Sequence, residues 1–338
     1  TRFIPSPAAS RYIFAKANPI VKSLFKKEDN VNLVNQVFEG DKIEPRFYVP
    51  TLPLILTNQQ EGMSIGFAQK ILPRNPEELK KYVLQKAQGK RITANLTPYW
   101  TGQNFTVEQG ETPQQWVITG GFQRDSSTKI TINALPIGYS LKGYQNVLDK
   151  LVDDKVIRDY EDLSDDDQFC FEVIAPRDLL KKDDDFLLNR FKLVKRVSEN
   201  FTCIDENNKI IQFQTARQVI DAWWEKRIEY NGLRKDYLVN TLTSKIESNE
   251  KKMAFIQGVI DDSINLKLTE KQIIGAAIDN DNRVTVDEAK TFLRLPLRQL
   301  SQEEVRKLGK QLVELRKELK ATKAKAPEQF SVDDMAEL

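Results

Sequence analysis

The sequence predicts a multidomain α+β protein that ends in a long helical arm. At 338 residues the chain is long enough for two or three domains, each with its own core. Between residues 77 and 215, short runs of β-branched and aromatic residues alternate with Gly, Asn and Asp turns. From Ala216 onward the apolar residues fall instead at three- and four-residue steps, the period of a helix face.

The first segment, 1–76, mixes a helical stretch with proline-punctuated extended pieces. Asn18-Pro19 interrupts it, after which Ile20, Val21, Leu24 and Phe25 recur at helical spacing. Gly62 and Gly66 bracket Met63 in an expected turn where backbone can approach a partner closely. In segment 77–215, Glu77 to Ala87 reads as a helix, and Tyr144 to Leu151 carries a second helical stripe. Strands are expected at 116–119, 130–132, 169–173, 201–204 and 210–213. In segment 216–338, Val219, Trp223, Ile228, Leu233, Leu242, Ile246, Met253 and Ile260 sustain one long helix. Ser301 and Glu304 form a capping-box pair, and Val305, Leu308, Leu312, Leu315 and Leu319 then alternate steps of three and four. That heptad seam predicts an antiparallel coiled coil with a small helical knob at 262–299. The alternative is a plain helical hairpin inside one core. The knob is too small to be expected to cover Phe255, Ile256, Ile264, Leu266, Leu268 and Phe292, so a twofold contact with a second copy is expected.

Composition excludes several classes of chemistry. With no histidine, Ser-His and Cys-His nucleophile pairs and histidine metal sites are impossible within this chain. No Walker loop occurs. Asp279, Asp281 and Asn282 suggest a calcium loop, but Val284 and Lys290 stand where glycine and glutamate are needed; Thr285 and Glu288 read as a helix cap. The runs Asp165-Asp166-Asp167 and Asp183-Asp184-Asp185 read as solvated loops or helix starts, so no metal site is assigned. Cys170 and Cys203 suit thiols in a reducing cytoplasm. No apolar run approaches the roughly 20 residues of a membrane helix, and the N-terminus has no signal-peptide pattern. Net charge is only +2, yet Arg2, Arg11, Lys16, Lys22, Lys26 and Lys27 crowd the beginning. Such a cluster can neutralise phosphates, or it is a solvated basic face.

Specific stretches carry a resemblance. Ser10-Arg11-Tyr12-Ile13-Phe14 resembles the active-site run of type IIA DNA topoisomerases, in the form seen in eukaryotic enzymes and large phages. Glu44 to Leu56, Glu61-Gly62-Met63-Ser64-Ile65-Gly66, Lys70 to Leu79, Ile130 to Pro136, Lys226 to Lys235 and Leu295 to Ser301 resemble further family segments, in family order. The resemblance implies the C-terminal part of a winged-helix domain (1–76), a tower domain flanking bent DNA (77–215), and a coiled coil with a dimerisation gate (216–338). Thr1-Arg2-Phe3 resembles the interior of a motif, so the protein is expected to extend upstream. No repeat-rich module follows Leu338, which favours relaxation or decatenation over supercoiling.

The resemblance also implies roles. Tyr12 would attack a DNA phosphate and stay joined to the 5′ end, and Arg11 would stabilise the crowded charge. Met63 stands where the family carries an apolar wedge that enters the base stack, commonly isoleucine. Lys70 and Arg74, expected on the same surface, and Lys16 are candidate phosphate contacts. Mg²⁺ is expected from a toprim domain on a partner chain, and ATP from a partner subunit. The expected partners are double-stranded DNA, a second copy of this chain and that ATPase/toprim subunit, with no membrane. The competing function is a non-catalytic coiled-coil dimer that binds or organises DNA.

Overall fold

A computed structural model describes Arg11, residues 13–165 and residues 168–338. It is a mixed α/β chain that divides into two compact units. One holds Pro50–Glu225 with Leu338 and the described residues up to Leu24; the other holds Phe25–Val49 and Lys226–Glu337. No described helix is long and apolar enough to cross a membrane.

The first helix, α1 (Val21–Leu24), is started by Asn18, whose carbonyl accepts from Val21 N at 3.0 Å. It lasts one turn. Ile20 and Val21 stay exposed, so the apolar spacing there builds no buried stripe. Next come α2 (Lys27–Asn30) and a hairpin of β1 (Asn35–Phe38) and β2 (Asp41–Pro45). A second hairpin, β3 (Gln60–Ser64) and β4 (Phe67–Ile71), precedes α3 (Pro76–Ala87). Asn75 caps α3 by accepting from Glu77 N at 2.9 Å, and Pro76 supplies a first position already set for a helix.

The expected α/β segment contains, in order, β5 (Thr106–Gln109), β6 (Gln115–Thr119), β7 (Gly121–Arg124), β8 (Lys129–Ala134), α4 (Leu141–Asp153), β9 (Asp159–Asp162) and β10 (Phe171–Ile174). Then follow α5 (Arg177–Leu180), α6 (Asp184–Arg190), β11 (Val194–Ser198), β12 (Phe201–Ile204) and β13 (Ile210–Phe213). One sheet has the order β7-β8-β10-β9, and a second β11-β6-β5; every pairing is antiparallel. The register sets Phe171 opposite Ile132 and Val173 opposite Ile130, so all four share one buried face. Tyr144, Leu148 and Leu151 of α4, spaced four and three, cover that face. Asp183 accepts from Phe186 N at 3.2 Å, which makes the second acidic run a helix start, as its sequence suggested.

The helical end opens with α7 (Ala216–Ile260), 45 residues long. It is followed by α8 (Glu270–Asn280), α9 (Val286–Leu293), α10 (Gln302–Ala324) and α11 (Pro327–Glu337). Contacts pair α7 with the returning chain in reverse order: Lys235 with the Lys325 carbonyl, Glu250 with Arg316, and Lys252 with Glu304. Leu308 and Leu312 of the heptad seam are buried, as are Leu242, Ile246 and Ile256 of α7. Thr285 and Glu288 form the expected cap on α9. The Ser301 box is only half made. Ser301 Oγ accepts from Glu304 N, but the Glu304 carboxylate turns to Lys252 at 3.5 Å instead of the Ser301 backbone.

The packing corrects one expectation. The knob does have its own core: Phe255, Ile256, Ile264, Ile273, Val284, Phe292 and Leu308 form one buried cluster. α8 and α9 fold back and supply the cover expected of a second copy, and the large apolar residues left exposed are Leu266, Leu268, Val286 and Leu297. The motif from Lys226 to Lys235 is a structural clamp. Arg227 is fully buried and donates to both Asp29 oxygens at 2.9 and 2.8 Å and to the Val49 carbonyl at 2.8 Å. Arg234 makes a two-pronged pair with Asp334 at 3.0 Å, and Asn231 donates to Ser331 Oγ at 2.8 Å.

Candidate nucleic-acid interface

Tyr12, the expected nucleophile, lies outside the described residues. Its neighbour Arg11 is described and exposed, and Lys16 is exposed on the extended run that follows. Phe14, between them, is fully solvent-facing at 101% and Ile13 is 59% exposed. Exposed bulky apolar side chains beside cations mark a surface suited to meeting a partner. Two tyrosines elsewhere are held protonated by their surroundings. Burial and the Asp221 carboxylate push Tyr82 up to about 12, and burial with Asp149 does the same to Tyr160.

The hairpin of β3 and β4 is a second exposed candidate. Ser64 pairs with Phe67, which leaves a two-residue loop of Ile65 and Gly66. Gly66 takes φ +83°, a conformation open to glycine and strained for most other residues. Met63 therefore lies on a strand one residue before its end, opposite Ala68, where the sequence suggested a turn. It is 91% exposed, and Ile65 at the tip is 99% exposed. Sequence reasoning named Met63 and missed Ile65. An alternation of exposed apolar and small residues across a short hairpin was the available signal.

What holds this hairpin is legible only in space. β4 bonds edge to edge with the turn into β12, through Lys70 N to the Asn200 carbonyl at 2.9 Å and Asn200 N to the Lys70 carbonyl at 2.8 Å. Gln69 Nε2 adds a bond to the Thr202 carbonyl at 2.7 Å. One residue earlier in the chain than Asn200, Glu199 gathers four donors: Leu72 N at 2.9 Å, Trp116 Nε1 at 2.7 Å, and Arg74 Nη1 and Nη2 at 3.0 and 2.6 Å. Both charged side chains are 1% exposed, and the guanidinium lies 5.8 Å from the Trp116 ring centroid. This charge-assisted hub fixes the base of the hairpin against β6 and leaves its tip in solvent.

The expected phosphate contacts separate accordingly. Lys70 is on the surface, in a weak exposed pair with Glu61 at 3.1 Å, and can exchange that partner for a phosphate. Arg74 cannot. It is buried and committed to Glu199, so its assignment to a DNA-facing surface is overturned. A charge that would otherwise be stranded in the interior needs its partner more than a phosphate does. Among the described residues, no group of three or more Asp, Glu, Cys or His side chains is placed to hold a metal ion.

The family of the A subunits of DNA gyrase and topoisomerase IV matches residues 4–337, and the chain belongs to it. Its relatives include the DNA topoisomerase 2, mitochondrial, of Dictyostelium discoideum, 23% identical over 98% of this chain and 26% of that protein. The DNA topoisomerase 2 of Arabidopsis thaliana is 28% identical over 78% of this chain and 18% of its own length. The DNA topoisomerase medium subunit of Enterobacteria phage T4 is 29% identical over 78% of this chain and 60% of its length. The chain thus spans a minor part of the cellular enzymes and a larger part of the phage protein. A crystal structure of the Plasmodium falciparum topoisomerase II DNA-binding, cleavage and re-ligation domain shares the fold, with a TM-score of 0.82 and 24% identity over 97% of this chain and 49% of that one.

Proposed function

We propose that this chain is the DNA breakage-and-rejoining subunit of an ATP-dependent type II topoisomerase. The observation that carries the reading is the Arg11-Tyr12 run, standing inside a family match that covers residues 4–337. Residues 1–76 are read as the end of a winged-helix domain, 77–215 as the tower, and 216–338 as coiled coil and exit gate. The Tyr12 oxygen forms a bond to a backbone phosphorus, the phosphorus–O3′ bond breaks, and the 3′-oxygen leaves as a hydroxyl. The phosphotyrosine keeps the bond energy, so that hydroxyl reverses the step without an outside energy source. Arg11 balances charge on the phosphate during both directions.

Among the described residues, no three Asp, Glu, Cys or His side chains are grouped to hold a metal ion. We assign the metal to a toprim domain and ATP to a partner subunit; the steps given to Tyr12 and Arg11 run through neither. The test is reconstitution. The purified chain with Mg²⁺ alone should leave DNA intact, and addition of an ATPase/toprim subunit should give ATP-dependent relaxation or decatenation. Robust cleavage by the chain alone overturns the split-site reading.

The hairpin tip is read as the wedge, with Ile65 joining Met63. Opening a base step costs a few kcal/mol, which two fully exposed apolar side chains on a rigid mount offset by filling the gap. The pair Met63→Ala and Ile65→Ala should reduce duplex bending, followed by energy transfer between end labels, and slow cleavage about tenfold or more, equivalent to at least about 1.4 kcal/mol. Unchanged bending sinks the assignment.

A second copy is the expected protein partner, through the exposed apolar residues of the knob. Leu266 and Leu268 are 39% and 46% exposed in the connection between α7 and α8, and Leu297 is 83% exposed beyond α9. Leu266→Glu with Leu268→Glu should shift sedimentation from dimer to monomer while the helix content stays constant. Dimers as tight as the parent would place the contact elsewhere.

A further inference from the structure

We infer that the outer face of α10 is a binding surface for a second DNA duplex, separate from the β3–β4 hairpin. Arg306, Lys310, Lys317 and Lys320 are exposed, with Val313 (66% exposed) and Ala324 among them. At about 100° and 1.5 Å per residue, the four cations fall within about 80° of one another and run along about 21 Å of the helix axis. They lie on the side opposite Leu308 and Leu312, which are buried in the arm.

Their lack of partners is selective. Other cations of the same arm find carboxylates: Arg316 and Arg283 with Glu250 at 2.7 and 2.9 Å, Lys251 with Glu288 at 2.9 Å, and Lys252 with Glu304 at 3.5 Å. Glu303, Glu314 and Glu318 stand on the flank of the stripe, and none pairs with its four cations. Because the whole chain carries a net charge of only +2, the excess is local. Within the stripe itself no carboxylate falls between the four cations, and Glu303 and Glu314 stand at its edge, about 20° and 40° around the helix from Lys310.

A straight row of cations on one helix, with only small aliphatic residues between them, suits a ligand of uniform, closely spaced negative charge. A duplex presents one charge per about 1.7 Å of its axis. The face has no side chain suited to reading bases, so its binding is independent of sequence. This inference rests on the proposed function for its purpose: a transported duplex can have any sequence, and it needs to be held weakly enough to leave.

The test uses the full chain with Val313→benzoylphenylalanine, a photo-crosslinking residue, and a short blunt-ended DNA duplex. The duplex should be labelled through position 313, and labelling should fall as salt rises. Adding Arg306→Gln, Lys310→Gln, Lys317→Gln and Lys320→Gln should cut labelling at least tenfold. Removing up to four phosphate contacts should make the slope of log affinity against log salt shallower by about 3. In the reconstituted enzyme, the same four substitutions without the crosslinker should leave the covalent DNA adduct unchanged and slow strand passage. Labelling that is absent, that survives the four substitutions, or that poly-glutamate displaces at equal charge overturns the inference, as does strand passage at the parent rate. If the parent forms no adduct but still labels duplex through position 313, the breakage reading fails and the surface stands.

Discussion

Glu199→Ala is expected to lower the stability of the chain by about 3–5 kcal/mol, the usual cost of breaking a buried ion pair by removing one partner. The carboxylate is 1% exposed and is the shared acceptor for Arg74, Trp116 Nε1 and Leu72 N. Its loss leaves a guanidinium, an indole N–H and a backbone N–H in the interior at once. Arg74 Nε already has no acceptor, so the site has no spare bonding capacity to absorb the change. Arg74→Ala should cost nearly as much, because it leaves the carboxylate charge buried with only two neutral donors. Glu199→Gln should cost less than Glu199→Ala, since it keeps one acceptor oxygen, but it still strands the Arg74 charge. Urea unfolding of the full chain measures all three. A loss below about 1 kcal/mol for Glu199→Ala would mean that water reaches the hub, against its observed burial.

Tyr12→Phe is expected to abolish DNA cleavage and adduct formation in the reconstituted enzyme while leaving the fold and duplex binding in place. The substitution removes one oxygen, the atom proposed to form the bond to phosphorus, and leaves the ring. Arg11→Ala should behave differently. It removes charge stabilisation and keeps the nucleophile, so slight cleavage should survive a loss of around 3 kcal/mol in the transition state. Equal, complete loss in both variants would point to a structural role for the pair.

The elements with local signals were legible in the sequence. The heptad steps from Val305 to Leu319 marked α10, short runs of β-branched and aromatic residues marked β6, β8 and β10, and the stretch from Glu77 to Ala87 marked α3. Features that depend on distant partners were not. Glu199 and Arg74 are 125 residues apart, and an arginine on a strand edge looks the same in sequence whether it serves a phosphate or a buried carboxylate. Asp29 and Arg227 are 198 residues apart, and they lie in the unit that unites Phe25–Val49 with Lys226–Glu337. The Ser301 box failed for a similar reason: Lys252, from another helix, offers Glu304 a full charge in place of a backbone N–H. Of the candidate site, Met63 was named from the sequence, though in a turn and not on a strand, whereas the mount beneath the hairpin and the exposure of Ile65 were not readable.

The most direct measurement is the chemistry of the DNA–protein bond itself. The chain, reconstituted with its ATPase/toprim partner and Mg²⁺ on an end-labelled duplex, is denatured during turnover and digested, and the peptide carrying DNA is sequenced by mass spectrometry. The expected product is a phosphotyrosine at Tyr12 joined to the 5′ end of each broken strand, with a free 3′-hydroxyl. A 3′ linkage, a bond to another residue, or duplex binding without any covalent adduct would contradict it, and the last result would favour a non-catalytic dimer that organises DNA.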